Sequence, residues 1–255
     1  SSLFSWADDE FEGDLFESVL AITPVSFDVA IFDLLYPLSS QKTILLTTDN
    51  HDVAEINHFL ESNQNVVINT PPAIIKGYLQ EGVDFSRVSL INLAGEIVPV
   101  NLRDEFKNSH TKVRNIYGPT ETTVYSSCYV FDDRYPGIVP IGKPISGDHI
   151  YILDEDHQLS PIGGIGQIAI GGNGLAKGYY NNPELTAEKF VILESVNNER
   201  VYLTGDYGRF LEYGTIEFFG RRDQQVNVRG FRIELNEIQQ CANSFEGIEN
   251  ALATS

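Results

Sequence analysis

Between residues 42 and 117 short apolar runs alternate with amphipathic ones, and this rhythm restricts the fold more than any other feature of the sequence. Lys42 to Thr48 (KTILLTT), Val66 to Thr70 (VVINT), Ser89 to Leu93 and Lys112 to Tyr117 read as strands. His51 to Leu60, Ala73 to Leu79 and Asn101 to Phe106 carry a helical period. Strands separated by helices at this spacing predict an α/β fold, a mostly parallel sheet flanked by helices on both faces. The helical period also predicts two earlier helices, one through Phe11, Leu15, Phe16, Val19 and Leu20 after a cap at Asp8, and one over Asp28 to Leu35.

From about Val124 the helices thin out and short strands dominate, among them His149 to Leu153, Gln167 to Ile170 and Arg200 to Leu203. Gly208 to Leu211 and Thr215 to Phe219, turning through Glu212-Tyr213-Gly214, read as a hairpin. The expected organisation is a parallel-sheet part over 1–123, a small β-rich lobe of the same unit over 124–221, and a further part over 222–255, where Val226 to Glu234 leads into a short helix. A length of 255 residues with 42% hydrophobic content can bury a substantial core.

The 36 acidic residues outnumber the 17 basic ones, and the resulting charge of −19 repels phosphate backbones and anionic lipid. No nucleic acid and no membrane partner is expected. Cys128 and Cys241 lie far apart without metal-ligand spacing, so neither a disulfide framework nor a zinc site is indicated, and the expected compartment is the reducing cytoplasm. No stretch approaches the roughly 20 apolar residues of a membrane span. The sequence opens Ser1-Ser2 and contains no methionine, so a segment of a longer chain is expected.

In parallel sheets ligands lie beyond the carboxyl ends of the strands. Three loops fall there: Asn69-Thr70-Pro71-Pro72, Ala94-Gly95-Glu96, and Tyr117-Gly118-Pro119-Thr120-Glu121. In the last, Gly-Pro makes a tight turn after a buried strand, so that a hydroxyl and a carboxylate project at the sheet edge. Thr and Glu at such a place also make an ordinary helix start, and the string alone does not choose between these roles.

Four separated segments occur in an order that resembles the adenylation domains of nonribosomal peptide synthetases, within the adenylate-forming superfamily. They are Phe27-Asp28-Val29-Ala30; Tyr117 to Thr122 (YGPTET); Gly166 to Gly172 running on to Gly178-Tyr179-Tyr180 and Pro183-Glu184-Leu185-Thr186; and Thr204-Gly205-Asp206, followed by the string from Gly220 to Leu235 (GRRDQQVNVRGFRIEL). The resemblance covers nearly the whole chain, and the last string is its most specific part.

It implies an enzyme that joins ATP and an amino acid into an aminoacyl adenylate, releasing pyrophosphate, and then passes the aminoacyl group to the phosphopantetheine of a peptidyl carrier domain beside further synthetase domains. ATP would be held by Gly95, Glu96, Tyr117, Gly118, Thr120, Asp206 and Arg221. Tyr117 would stack on adenine, Asp206 would accept from both ribose hydroxyls, and Thr120 and Glu121 would act at the phosphates, with Glu121 as a Mg²⁺ ligand. Asp28 would pair with the substrate ammonium, although an Asp at a helix start is also favoured by the macrodipole.

Val29, Phe32, Asn69, Asn92, Ala94, Ile116, Val124 and Tyr125 match the side-chain pocket, and their combination is similar to signatures of alanine-selecting domains. Phe32 and Tyr125 fill volume that a large side chain would need. Asn69 and Asn92 would hydrogen-bond either a polar side chain or each other.

Asp223 matches a hinge, with 222–255 as the start of a C-terminal subdomain. The resemblance places a phosphate-binding loop upstream of these residues and a catalytic lysine downstream, so the 255 residues alone are expected to turn over poorly. Leu203 and Asn227 stand where the family usually has basic residues, which bears on carrier handover more than on adenylation. Alternative readings are an acyl- or aryl-CoA ligase of the same superfamily, against which Asp28 argues, and a catalytically silent nucleotide-binding module.

Overall fold

The structure is a computed structural model that describes residues 2–11, 16–50, 52–221, 225–228, 231–243, 245 and 251–253. Its first half alternates as the sequence predicts. After helix α1 (Ser2–Glu10) come β1 (Ser18–Ala21), α2 (Asp28–Ser39), β2 (Thr43–Leu46), α3 (Val53–Ser62), β3 (Val66–Thr70), α4 (Pro72–Gln80), β4 (Val88–Leu93), α5 (Val100–Glu105) and β5 (Lys112–Tyr117). Asp52 caps α3 by accepting from the Glu55 amide at 3.0 Å, and Pro72 sits in the first turn of α4, where its missing N–H costs nothing.

The strands β2, β1, β3, β4 and β5 lie side by side in that order, all parallel. Every residue of β3 and β4 is buried, which accounts for their near-continuous apolar character. On one face Ile68, Ile91, Leu93 and Val113 of the sheet join Ile56 of α3, Ile75 of α4 and Leu102 of α5. On the other, Trp6, Phe32 and Tyr36 of α1 and α2 pack on Val67, Leu90 and Ile116.

One expectation is corrected here. Phe16, Val19 and Leu20 do not continue a helix: α1 ends at Glu10, and 18–21 form β1, between β2 and β3. Apolar pairs four residues apart fit either element, and here hydrogen bonding to two neighbouring strands decides. Leu15 lies outside the described residues.

The sheet also runs past residue 123. Strands β6 (Ser127–Val130) and β7 (Lys143–Pro144) extend it beyond β5, both antiparallel, because no crossover helix separates them from β5. A second, antiparallel sheet follows: β8 (Asp148–Leu153), β9 (Gly166–Gly172), β10 (Phe190–Leu193), β11 (Glu199–Phe210) and β12 (Ile216–Arg221), in the order β10-β11-β9-β8 with β12 on β11. Helix α6 (Pro183–Lys189), not foreseen from the period, starts at Asn182, whose side chain accepts from the Leu185 amide at 3.1 Å. The expected hairpin is the β11–β12 pair. The hairpin β13 (Gln225–Val228) and β14 (Phe231–Glu234) and helix α7 (Leu235–Asn243) complete the described elements. None of the described helices is long and apolar enough to cross a membrane.

Candidate functional site

The loop after β5 is built around one glycine. A Cβ on Gly118 would lie 2.5 Å from the Val124 carbonyl oxygen and 2.7 Å from Tyr125 Cα, so only glycine lets the loop fold back on itself. The fold-back is closed by the Ser126 amide on the Tyr117 carbonyl at 2.8 Å and by the Thr122 and Ser126 hydroxyls at 2.7 Å. Thr123 and Val124 are both left-handed, at φ of 66° and 72°, a conformation that β-branched residues avoid. Strain of this kind, on the order of 1–3 kcal/mol per residue, persists where surrounding contacts over-determine it.

The loop thereby presents a short turn, Thr120–Thr122, to the start of α2. The Thr120 hydroxyl donates to Asp28 Oδ2 at 2.5 Å, joining positions 92 residues apart. Asp28 is the first residue of α2, so it serves the helix start and faces the loop at once.

Tyr117 turns the other way, toward the second sheet. Its ring packs against Phe218 at 5.6 Å between centroids, and its hydroxyl donates to Asp206 Oδ2 at 2.6 Å. Burial, then the Asp206 charge, pushes that hydroxyl well above the ordinary tyrosine range, so it stays a donor. Asp206 is aimed by an irregularity: the β11–β9 register shifts between Leu203 and Tyr207, and the Asp206 amide donates to Thr204 Oγ1 at 3.0 Å. Arg221, the register partner of Asp206 on β12, places Nη1 3.4 Å from Asp206 Oδ1 and 2.8 Å from the Thr204 carbonyl.

The pocket-matching residues gather on the α1–α2 face of the first sheet. Phe32, Ile116, Val124 and Tyr125 are buried in one cluster, with Val29 and Ala94 packed against it. Phe32 and Tyr125 meet edge to face at 5.2 Å. Asn69 and Asn92, register partners on β3 and β4, bond each other: Asn92 Nδ2 donates to Asn69 Oδ1 at 2.7 Å.

Asn69 Nδ2 in turn donates to Asp33 Oδ1 at 2.5 Å. Asp33, absent from the sequence-derived set, is 1% exposed. Burial drives its carboxyl up from 3.8 to about 7, against the hydrogen bond from Asn69 and the nearby Thr23 hydroxyl. The sequence did carry a signal for it: on a helix, position 33 lies one turn beyond Val29 and shares its face.

Glu121 is held from the second sheet. Tyr179 Oη donates to Glu121 Oε1 at 2.7 Å and lies 3.2 Å from Tyr202 Oη, while the Ala176 amide donates to the Glu121 carbonyl at 2.8 Å. Burial pushes the Tyr179 hydroxyl up, with its bonds to Tyr202 and Glu121 adding to the effect, so it remains a donor to the carboxylate. No group of three or more His, Cys, Asp or Glu side chains able to hold a metal occurs among the described residues. A single well-oriented carboxylate suits Mg²⁺, which keeps several waters and shares its remaining ligands with phosphates.

Gly95, at φ of 83°, and Glu96 form the turn beyond β4, next to Ala94, whose amide donates to the Thr70 carbonyl at 3.2 Å. The expected hinge, Asp223, lies outside the described residues. Asp28, Thr120, Glu121, Tyr117, Asp206 and Arg221 are thus linked through one loop between the two sheets, and Asp28 opens α2, the helix that carries the pocket-matching Val29 and Phe32.

A family profile described as AMP-binding enzyme matches residues 1–180. Tyrocidine synthase 1 of Brevibacillus parabrevis is 39% identical over 232 residues, 89% of this chain and 21% of its own length. The chain therefore spans about a fifth of that relative. Among solved structures, the four-domain nonribosomal peptide synthetase AB3403, bound to AMP and glycine, superposes with a TM-score of 0.80 at 32% identity, over 98% of this chain and 19% of that one. PA1221, a nonribosomal peptide synthetase protein containing adenylation and carrier domains, does so at 0.84 and 27% identity, over 92% of this chain and 49% of that one.

Proposed function

Because the chain belongs to the AMP-binding enzyme family, with the fold of nonribosomal peptide synthetase adenylation domains, we propose that it activates a small amino acid with ATP, releasing pyrophosphate and forming an aminoacyl adenylate. The observation that carries this reading is the pair of long-range bonds at the Tyr117–Glu121 loop, Thr120 to Asp28 on one side and Tyr117 to Asp206 on the other. They tie an ammonium-binding carboxylate and a ribose-binding carboxylate to the same loop, so that the two substrates share one neighbourhood.

The amino-acid carboxylate, with a reference pKa of about 3.3–3.7, is ionised at neutral pH and needs no general base. One of its oxygens attacks the α-phosphorus, and the bond from phosphorus to the pyrophosphate oxygen breaks. The protein's task is alignment and charge stabilisation. Asp28 holds the ammonium and Asp206 the ribose, Thr120 turns the one hydroxyl proton it gives Asp28 toward the phosphate once the ammonium is paired, and Tyr117 offers a ring to adenine. Glu121 would hold Mg²⁺, which supplies positive charge at the phosphoryl oxygens.

Volume points to a substrate of alanine's size, because Phe32 and Tyr125 already fill the space beside Val29. Transfer to a phosphopantetheinyl carrier domain, with rotation about Asp223, is the second half of the proposal. Its support is the likeness to adenylation proteins that contain carrier domains. A separate part after residue 221 belongs to it as well, the first sheet continuing past the expected boundary at 123 through β7, and so does action in the cytoplasm, where ATP is supplied.

The test is amino-acid-dependent ATP–pyrophosphate exchange by the native full-length protein. Asp28→Asn should lower kcat/KM for the amino acid on the order of 100-fold, as expected when one partner of a desolvated charge pair is removed. Exchange driven by simple carboxylic acids, or left intact by that substitution, refutes the assignment.

A further inference from the structure

We propose that Arg200 is a positioning residue for Glu121, holding both its backbone and its carboxylate where they serve the phosphates. The proposal rests on the adenylation reading above for the role of Glu121, and adds a residue which that reading leaves out.

Arg200 is the second residue of β11 and is half-buried. Its guanidinium forms no ion pair with a carboxylate among the described residues. Instead Nη1 donates to the Ala176 carbonyl at 2.9 Å and Nη2 to the Lys177 carbonyl at 2.8 Å, while the planar group lies 4.7 Å from the centre of the Phe190 ring. Residues 175–179 form neither helix nor strand. Their carbonyls have no ladder of partners, and a flat fork with two outward N–H groups fits two consecutive ones.

Two routes lead from this fork to Glu121. The first is backbone: the Ala176 amide donates to the Glu121 carbonyl at 2.8 Å, and the carbonyl of the same residue is the one that Nη1 holds. The second runs through rings. Phe190, over which the guanidinium lies, meets Tyr179 edge to face at 5.6 Å, and Tyr179 Oη donates to Glu121 Oε1 at 2.7 Å. Tyr202 supports this route from the other side, its ring 5.1 Å from Phe190 and its hydroxyl 3.2 Å from that of Tyr179.

Both routes matter because the loop that carries Glu121 continues into left-handed Thr123 and Val124, a strained path that depends on contacts from outside. Without the fork, the irregular 175–179 segment regains freedom and the carboxylate loses its aim. Removing an outer partner of a metal ligand costs about 10–100-fold in metal affinity. Lysine keeps the charge of Arg200 but has neither the fork nor the flat face that lies on Phe190.

The experiment uses the native full-length protein with its Arg200→Gln, Arg200→Lys and Tyr179→Phe variants, and Mn²⁺ as the probe for the Mg²⁺ site. The paramagnetic resonance signal of free Mn²⁺ reports its binding to the protein loaded with an ATP analogue that has a methylene bridge between the α- and β-phosphorus; ATP–pyrophosphate exchange is measured in parallel. Arg200→Gln should weaken Mn²⁺ binding about tenfold and raise KM for ATP, with KM for the amino acid within about twofold of the parent. Arg200→Lys should fall between parent and Arg200→Gln. Arg200→Gln combined with Tyr179→Phe should lose well under the roughly hundredfold that two independent tenfold effects would give, because both act on one carboxylate. Melting curves report folding, and Arg200→Lys decides if Arg200→Gln is unstable. Parent-like Mn²⁺ affinity in a folded Arg200 variant, equal rises in both KM values, or full multiplication of effects in the double variant overturns this proposal. A parent without amino-acid-dependent exchange refutes the adenylation reading, while weaker Mn²⁺ binding by Arg200→Gln would still support the role of Arg200.

Discussion

Replacing Asp33 by Asn should flatten the pH dependence of stability near neutrality. Burial raises the Asp33 carboxyl from 3.8 to about 7. The folded chain therefore keeps a proton at this site at about pH 5 that the unfolded chain has released, and stability must fall as pH rises through the folded value. Integrated between about pH 5 and about pH 7.5, this one group removes about 2–3 kcal/mol, a large share of the stability of an ordinary domain. Asn has the shape of the neutral acid and keeps an oxygen to accept from Asn69 Nδ2. At pH 5 the variant should thus match the parent, and at pH 7.5 it should be more stable by about that amount. Asp148, raised by burial to about 6, contributes in the same direction but is common to both proteins. Urea unfolding at several pH values, with the dependence on denaturant held constant, isolates the difference. Parallel pH profiles for parent and variant would show that Asp33 is ionised in the folded chain, and the account of its burial would fail.

Gly118→Ala places a Cβ against the backbone of Val124 and Tyr125, which no rotamer change relieves. Thermal melting should fall by roughly 4–8 °C, equivalent to about 2 kcal/mol or more of overpacking; an unchanged melting curve would mean that the loop is not folded as described. Tyr179→Phe removes the hydroxyl at 2.7 Å from Glu121 Oε1 and keeps the ring against Phe190. The Mg²⁺ concentration giving half-maximal exchange should rise about tenfold, the effect of losing an outer partner of a metal ligand, while the melting temperature holds; a metal requirement identical to the parent's would separate Tyr179 from the role of Glu121.

Local pattern carried the fold class. Val66 to Thr70 and Lys112 to Tyr117 match the strands β3 and β5 residue for residue, because a buried parallel strand announces itself as an apolar run between helices. The loops at the strand ends, and with them the places of Thr120 and Glu121, were legible for the same reason: the topology of such a sheet fixes where its carboxyl ends point. Asp28, at the start of a helix, stood out only through the family resemblance.

Tertiary structure decided whatever depends on a partner distant in the chain. Phe16, Val19 and Leu20 satisfy a helical period, and only the neighbouring strands β2 and β3 make Ser18–Ala21 a strand. Thr120 meets Asp28 across 92 residues, Tyr117 meets Asp206 across 89, and Tyr179 reaches Glu121 from the second sheet. Asp33 looked like one polar residue on a helix until the fold placed Asn69 and Asn92 beside it. Periodicity is a property of a dozen consecutive residues, whereas burial and hydrogen-bond partners belong to the packed whole.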